Sequence, residues 1–556
     1  MRFLPVDLAS FLVELPTLAQ TLDLFSALQA KPLHGVEELI PAARTVLVGF
    51  APYVTNAKAL TGQILQLKLD EPVRWIDRFV EIPVDYNGED LPTLADLTGM
   101  TVAEIINRHT ARDYVVAFCG FAPGFGYLIG GDPALNLPRR KTPRVSIPAG
   151  SVGLAGEFTG VYPRASPGGW QLIGTTKLKM WDLARTPSAL FQPGVSVRFK
   201  DCAQGERVFS LSSNPSYRPV EPAPEVVADE ALFTVLEAPI PALFQDRGRF
   251  GQTAQGVAPS GTLDHGALRA ANRLVGNEEA EPVLELIAGG FSFRSNGQAL
   301  VGFTGAPCAI AIRTISGQNL TPSVYTPVAL EAGDVVTLSA PRAGVHSYMA
   351  VRGGFAVERV LGSAATDTLA GIGPAPVGAG ARLGVRLDIG KTIGRAKPLK
   401  PVSLEELPSR LFPQPGEIVW LDITLGPRTD WFTPQALEML LMTAWEVTPY
   451  SNRVGLRLQG EGGLARARPG ELPSEACVAG ALEVPPDGKP VLLLADHPLT
   501  GGYPVIAVVA THHLDLAGQI PPGAKIRFRP LAPFTEITPD PPLLEVTEPQ
   551  DKGSAL

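Results

Sequence analysis

Between Phe118 and Thr176 the chain carries side chains able to bind an anion or polarise a carbonyl: Arg144, Ser151, Thr159, Tyr162, Arg164, Ser166 and Trp170. They are threaded among Gly120-Phe121-Ala122-Pro123-Gly124-Phe125, Pro148-Ala149-Gly150-Ser151 and Ser166-Pro167-Gly168-Gly169-Trp170. Glycine is entropically costly inside a helix and proline lacks the N–H that a helix needs, so the segment predicts tight turns between short strands. Turns fixed in this way display binding groups from a rigid scaffold. Simple closure of a β-barrel is the plainer alternative.

Asp246, Asp367 and Asp496 fall in Gly-rich loops, where a carboxylate either folds back on its own turn or orients an amide or guanidinium. His109 closes a helical stretch shortly before the first loop, and a structural role is its alternative. His512-His513, read as strand, face opposite sides and do not share a metal, so no metal site is expected. Gly390-Lys391-Thr392 invites a phosphate-loop reading, but Gly384 is one residue too far away, and Gly394 and Pro398 deny the helix that should follow. Lys179, between Leu178 and Met180, is read as a solvated strand residue and not as a biotin carrier. Neither a GxSxG elbow nor an HExxH helix occurs.

The elements that must hold these residues follow from size and composition. A chain of 556 residues predicts several domains, and Gly 57, Pro 54 and 18% charged residues favour strands and turns. Net charge −8 and a pI near 5.6 argue against nucleic acid as a partner. Four scattered cysteines give no disulfide framework, and no uncharged run reaches membrane-spanning length. A cytoplasmic protein, not membrane-bound, is expected.

Helices are predicted after Thr17, around Ala57–Leu67 and from Thr101, whose spacing to Glu104 makes a capping box. Asp264 should cap another through Leu268, Ala271 and Leu274, and a last helix is expected around Ala436 to Met442. The resulting division is a small α+β domain at 1–95, a β-barrel at 96–213, a linker at 214–231, a barrel module at 232–397, a linker at 398–416, a second module at 417–535 and a flexible tail at 536–556. An internal repeat supports duplicated β-modules: Thr159-Gly160-Val161-Tyr162-Pro163 returns as Thr500-Gly501-Gly502-Tyr503-Pro504. Upstream turns at Ile147–Gly150 and Val484–Gly488, and downstream turns at Pro193-Gly194 and Pro522-Gly523, accompany it. A cleft between such copies is a usual ligand site.

Residues 1 to about 215, with His109-Thr110, Pro143-Arg144 and the three Gly/Pro motifs above, resemble the B component of 5-oxoprolinase, the allophanate hydrolase subunit 1 or KipI-like family. Residues from about 232 to 535 resemble the C component, the KipA-like family, through Gln245-Asp246-Arg247-Gly248-Arg249, Ala271-Asn272-Arg273-Leu274-Val275-Gly276-Asn277, Arg352-Gly353-Gly354, Leu361-Gly362-Ser363, Ser451-Asn452-Arg453 and Thr500–Pro504. Their fusion is similar to the carboxyltransferase domain of urea carboxylase. The resemblance implies a mainly β protein of cyclophilin-like barrels with an α+β N-terminal domain.

It further implies a fused B/C component of an ATP-dependent 5-oxoprolinase that opens a lactam with a separate LamB/YcsF-type A component. The alternatives are a carboxyltransferase served by biotin and acting on urea or a related amide, and a KipI/KipA-type inhibitor of a kinase. ATP is expected on this chain or its partner, and self-association is left open. Catalytic candidates are Arg144, Ser151, Tyr162, Arg352, Asp367, Arg453 and Asp496; substrate-binding candidates are His109, Thr159, Ser166, Gln245, Asp264, Asn272, Thr500 and Tyr503. Glu483 stands where the family usually has glutamine.

Overall fold

The computed structural model describes residues 1–69, 78–140, 142–204, 231–386, 412–470 and 472–540. Arg2–Pro5, Ser10–Glu14, Thr45–Phe50 and Val36–Pro41 pair in that order in an antiparallel sheet. Helix Leu18–Ala30, capped by the Thr17 side chain on the Gln20 N–H, and helix Ala57–Leu65, capped by Asn56, belong to this unit. Strand alternation gives the sheet two apolar faces. Phe11, Val13, Val46 and Val48 pack against the helices, whereas Leu4, Leu12 and Leu47 pack on Leu493, Val505 and Val508 of the C-terminal barrel.

Seven strands form the second unit in the order Phe79–Val84, Ser196–Asp201, Asp113–Cys119, Gly126–Ile129, Phe158–Val161, Ser151–Ala155 and Gln171–Thr175. Reciprocal hydrogen bonds between Asp85 and Thr175 join its ends. Phe79–Val84, assigned from sequence to the first domain, pairs in parallel with Ser196–Asp201 and buries Val80, Ile82 and Val84 in the barrel. The boundary therefore lies before residue 79 and not at 95. Helix Val102–Thr110 starts at Thr101 as expected; its neighbour Leu91–Thr98 was not anticipated. A two-stranded flap, Arg144–Ile147 with Ser166–Gly168, stands beside the ring.

The last unit is a closed barrel of Ile418–Leu425, Lys525–Pro530, Trp445–Val447, Gly455–Gln459, Val491–Leu493, Ala481–Glu483 and Val505–Val509. It repeats the earlier ring strand for strand. Each begins with a parallel pair, Val80 opposite Val197 and Val419 opposite Ile526, and continues antiparallel. Helix Pro434–Met442 replaces Val102–Thr110, and a flap of Glu475–Ala476 with Thr500–Gly501 precedes the corresponding strands. The duplication is real, but the sequence repeat misaligns it. Thr159–Val161 belongs to a ring strand, whereas Thr500–Gly501 corresponds in position to the flap strand Ser166–Gly168. The two tyrosine motifs share turn chemistry, not position.

From 231 to 386 the chain forms the first module of the second half, a six-stranded and a five-stranded sheet around Phe233, Phe244, Phe293, Phe303 and Met349. Helix His265–Leu274 seats Leu268, Ala271 and Leu274 against Tyr348 and Ala350. At the C-terminal end, Ile537 donates its N–H to the Phe3 carbonyl and Glu536 pairs with Arg2, so 536–540 return to the first sheet and are not part of a tail. Residues 214–230, 398–411, 541–556 and the Gly390-Lys391-Thr392 motif lie outside the described residues. Among the described residues no helix is long and apolar enough to cross a membrane.

Candidate functional site

Loops of the middle unit meet loops of both barrels around Asp496, which follows the short strand Val491–Leu493 and is fully buried. Arg453 grips it bidentately, Nε to Oδ2 at 3.0 Å and Nη2 to Oδ1 at 2.9 Å. From the middle unit, Ser260 Oγ donates to Oδ1 at 2.6 Å, and Thr368 donates its N–H and its hydroxyl to Oδ2 at 2.9 and 2.7 Å. Arg453 also reaches Glu285 at 2.5 Å. Burial opposes the charge on Arg453, but Asp496 and Glu285 outweigh it and hold the guanidinium above its ordinary pKa. Burial alone would raise the Asp496 carboxyl; Arg453, Ser260 and Thr368 keep it below the usual range. Such a pair fixes geometry more than it adds stability. Ser260 holds this position with φ 55°, a left-handed backbone that a non-glycine residue adopts only under constraint.

Asp367 is buried nearby, and its hydrogen bonds come from the backbone, Ala370 N–H donating to Oδ1 at 2.7 Å. Burial, followed by the Asp496 charge, pushes its pKa up to about 6. Two guanidinium groups feel this carboxylate without pairing with it. Arg249, 1% exposed, donates Nη2 to the Ala365 carbonyl, while its Nε and Nη1 have no hydrogen-bond partner among the described residues. Arg164 reaches across from the first barrel to Gly371, and its buried Nε is also unpartnered. Burial pulls both arginines below the usual guanidinium range, and Asp367 partly offsets it. Gln245 donates Nε2 to the Thr366 carbonyl at 2.9 Å and leaves Oε1 unpartnered, as is Ser166 Oγ. Asp246 braces these loops by accepting from Ser363 Oγ at 2.6 Å and the Ala364 and Gly248 N–H groups at 2.8 and 2.9 Å.

A cavity of about 240 Å³ opens on Ser260, between Arg247, Phe250, His265 and His497, with Ile40 and Leu499 among its apolar walls. A larger opening of about 580 Å³ among Arg466, Arg468 and Asp487 contains none of the groups above. The N-terminus of helix His265–Leu274 does not offer a phosphate cradle: Asp515 accepts its first N–H groups at 2.9 and 3.0 Å, and Asp264 the next. That helix end therefore supplies no site for an ATP phosphate.

Of the sequence candidates, Gln245, Asp367, Arg453 and Asp496 come together, with Ser166 at the start of the flap strand just after Arg164. Thr500 sits where the halves touch, its Oγ1 accepting the Phe121 N–H at 3.0 Å, so close that Gly120 has no room for a Cβ. Tyr503 is exposed beyond it. Arg144 is committed to Asp90 at 2.8 Å and Glu89 at 2.7 Å. Arg352 holds the Val275 carbonyl, Asn272 the carbonyls of Leu268, Glu279 and Glu281, and Asp264 caps its helix.

His109 is buried among Tyr86, Tyr114 and Phe199, with burial lowering its pKa to about 3. Ser151 and Thr159 lie buried in ring strands, and Tyr162 in a cluster with Phe121, Phe125 and Trp170. His512 and His513 occupy a 3-10 turn, not a strand, and approach Asp422 within 4.8 Å. Arg529 at 2.6 Å and His512 at 3.1 Å already satisfy that carboxylate, and its own N–H donates to His513 Nδ1 at 2.8 Å. The cluster is an ion-paired network and no metal is assigned to it. Arg249 was not among the candidates, and Arg164, read from sequence as able to bind an anion, was not carried into the catalytic and substrate-binding sets.

Residues 1–191 match the carboxyltransferase domain, subdomain C and D, and residues 255–530 match subdomain A and B of the same domain. The C component of 5-oxoprolinase from Escherichia coli (strain K12) is 33% identical over 303 residues, covering 53% of this chain and 90% of that protein. This chain belongs to the carboxyltransferase-domain family. The B component of 5-oxoprolinase from Escherichia coli O157:H7 is 49% identical over 131 residues, 23% of this chain and 60% of that protein. The crystal structure of TTHA0988, at 33% identity and a TM-score of 0.75, covers 94% of this chain and 99% of its own. In this family member the C/D-type and A/B-type halves are one polypeptide, and the Asp367–Asp496 site lies where they meet.

Proposed function

We propose that this chain is the fused B/C component of an ATP-dependent 5-oxoprolinase-type lactam hydrolase. It works with a separate LamB/YcsF-type A component, which brings the ATP-dependent step. The observation that carries the reading is the position of the site: groups from the B-like and C-like halves line one locus. A five-membered lactam presents a carbonyl oxygen on which charge develops and an N–H. Asp496 is saturated by Arg453, Ser260 and Thr368, so Asp367, with a pKa near neutrality, exchanges the lactam proton. The test is 5-oxoproline consumption that requires ATP, the A component and this chain together; turnover without this chain overturns the reading.

A second reading, biotin-dependent carboxyl transfer to urea or a related amide, is favoured by the carboxyltransferase matches to both halves. Transfer from free carboxybiotin by this chain alone would establish it in place of the first.

A further inference from the structure

Resting on that reading, we propose that Arg164 and Arg249 form a two-part carboxylate subsite, one guanidinium from each half, that selects lactams bearing a carboxylate. Arg249 is enclosed, yet two of its nitrogens find no hydrogen-bond partner among the described residues. Unmet donors on a buried charge are costly and persist where a ligand supplies the acceptor. Arg164 brings a third such nitrogen from the opposite half.

The carboxylates near Arg249 are engaged elsewhere. Asp246 is held by Ser363, Ala364 and Gly248, and Asp496 by Arg453, Ser260 and Thr368. Among the described residues neither arginine has an ion pair, so the locus carries two unmatched cations against Asp367 alone. Asp367 itself, its carboxyl raised by burial and by Asp496 to about 6, offers one negative charge to the two guanidinium groups. A planar, two-oxygen anion matches guanidinium forks; neutral urea does not supply that charge. Because one fork comes from each half, the subsite exists only where the halves are joined.

Calorimetric titration of the full chain with L-5-oxoproline, its decarboxylated analogue 2-pyrrolidinone and acetate tests this. In Arg164→Gln and Arg249→Gln the affinity ratio of 5-oxoproline to 2-pyrrolidinone falls by about 10- to 100-fold, the effect of losing a charge-assisted contact. Arg249→Lys keeps part of it, and circular dichroism checks that each variant is folded. Equal losses for both lactams, or an unchanged ratio, overturn the subsite, as does a wild-type chain that binds no carboxylate. Partner-dependent turnover separates the two claims. Wild-type turnover of 5-oxoproline with an unaltered KM in both Gln variants keeps the enzyme reading and ends the subsite. Acetate binding that needs both arginines, without 5-oxoproline binding, keeps the subsite and ends the enzyme reading.

Discussion

Arg144 and Glu475 occupy the same place in the two barrels with opposite charge. Each lies in a flap opposite a glycine, Gly168 or Gly501. Each pairs with the residue that precedes the helical turn after the first ring strand, Asp90 before Leu91–Thr98 and Arg428 before Thr429–Trp431. Both partners also bond the last ring strand to form in sequence before the closing one: Leu172 N–H donates to Asp90 Oδ2 at 2.7 Å, and Arg428 N–H donates to the Val505 carbonyl at 2.9 Å. The duplicated tie between flap and ring has kept its geometry and inverted its polarity.

A tie of this kind acts on stability. Arg428→Ala strands the buried Glu475 carboxylate and should cost about 3–5 kcal/mol in urea unfolding. Arg144→Ala should cost less, about 1–3 kcal/mol, since Arg140 at 2.6 Å and the Leu172 N–H remain on Asp90. An Arg144→Ala chain as stable as wild type would show that Arg144 does not anchor the flap and is free to meet a ligand.

The role proposed for Asp367 predicts a pH dependence for the reaction. If the ionised form takes the lactam proton, kcat/KM falls on the acid side with a limb near pH 6, and Asp367→Asn lowers activity by about 100-fold or more at every pH. An acid limb that survives in Asp367→Asn belongs to another group. Stability should move the opposite way. The folded state holds this proton more tightly than the unfolded chain, so stability is lost as pH rises from the ordinary carboxyl range through 6. Asp367→Asn should therefore unfold at higher temperature than wild type at pH 8 and not at pH 3.

How much of this was legible before folding varied with the range of the interaction. Caps at Thr17, Thr101 and Asp264 were readable because each acts within one helical turn. Leu91–Thr98 was missed because Asp90, at its N-cap, gives its side chain to Arg140, Arg144 and Leu172 instead of to the helix. The tyrosine repeat misled because glycine and proline serve any tight turn; only strand pairing reveals that Ser166–Gly168 is the counterpart of Thr500–Gly501. Asp496 stood out as a loop carboxylate, but nothing local links it to Arg453, 43 residues away, or Ser260, 236 residues away. Arg164 was readable as an anion-binding side chain, but its convergence with Arg249 on Asp367 was hidden for the same reason. What marks them, among the described residues, is unmet nitrogens beside the Asp367 carboxylate without an ion pair to it.

Glu483 supplies a second titration, outside the site. It is buried, its neighbour Cys477 donates Sγ to Oε1 at 3.3 Å, and burial raises its pKa to about 7. The folded chain again prefers the protonated form, so stability declines as pH climbs from about 4.5 toward 7. Glu483→Gln keeps the shape and removes the charge. It should raise the unfolding midpoint at pH 8 by several degrees, from a gain on the order of 2–3 kcal/mol, and leave it unchanged at pH 4. Equal midpoints at pH 8 would mean that the carboxylate is stabilised by a contact other than Cys477.

The halves should also assemble when the chain is cut between residues 204 and 231. Their joint combines Phe121 N–H to Thr500, Gly124 N–H to the Gln255 carbonyl at 2.9 Å, Ala189 N–H to Gln255 Oε1 at 3.0 Å, and Arg428 to Glu14 at 2.9 Å. Beneath these, Leu4, Leu12, Ile40 and Leu47 of the first sheet meet Leu493, Leu499, Val505 and Val508 of the last barrel. Apolar contact of this kind is insensitive to screening, so co-expressed 1–204 and 231–556 should elute together from gel filtration even in roughly 0.5 M NaCl. Leu47→Asp places an unpaired carboxylate in that layer at a cost of several kcal/mol and should separate them. Pieces that part at high salt without any substitution would mean that the ion pairs, and not the apolar layer, hold the joint.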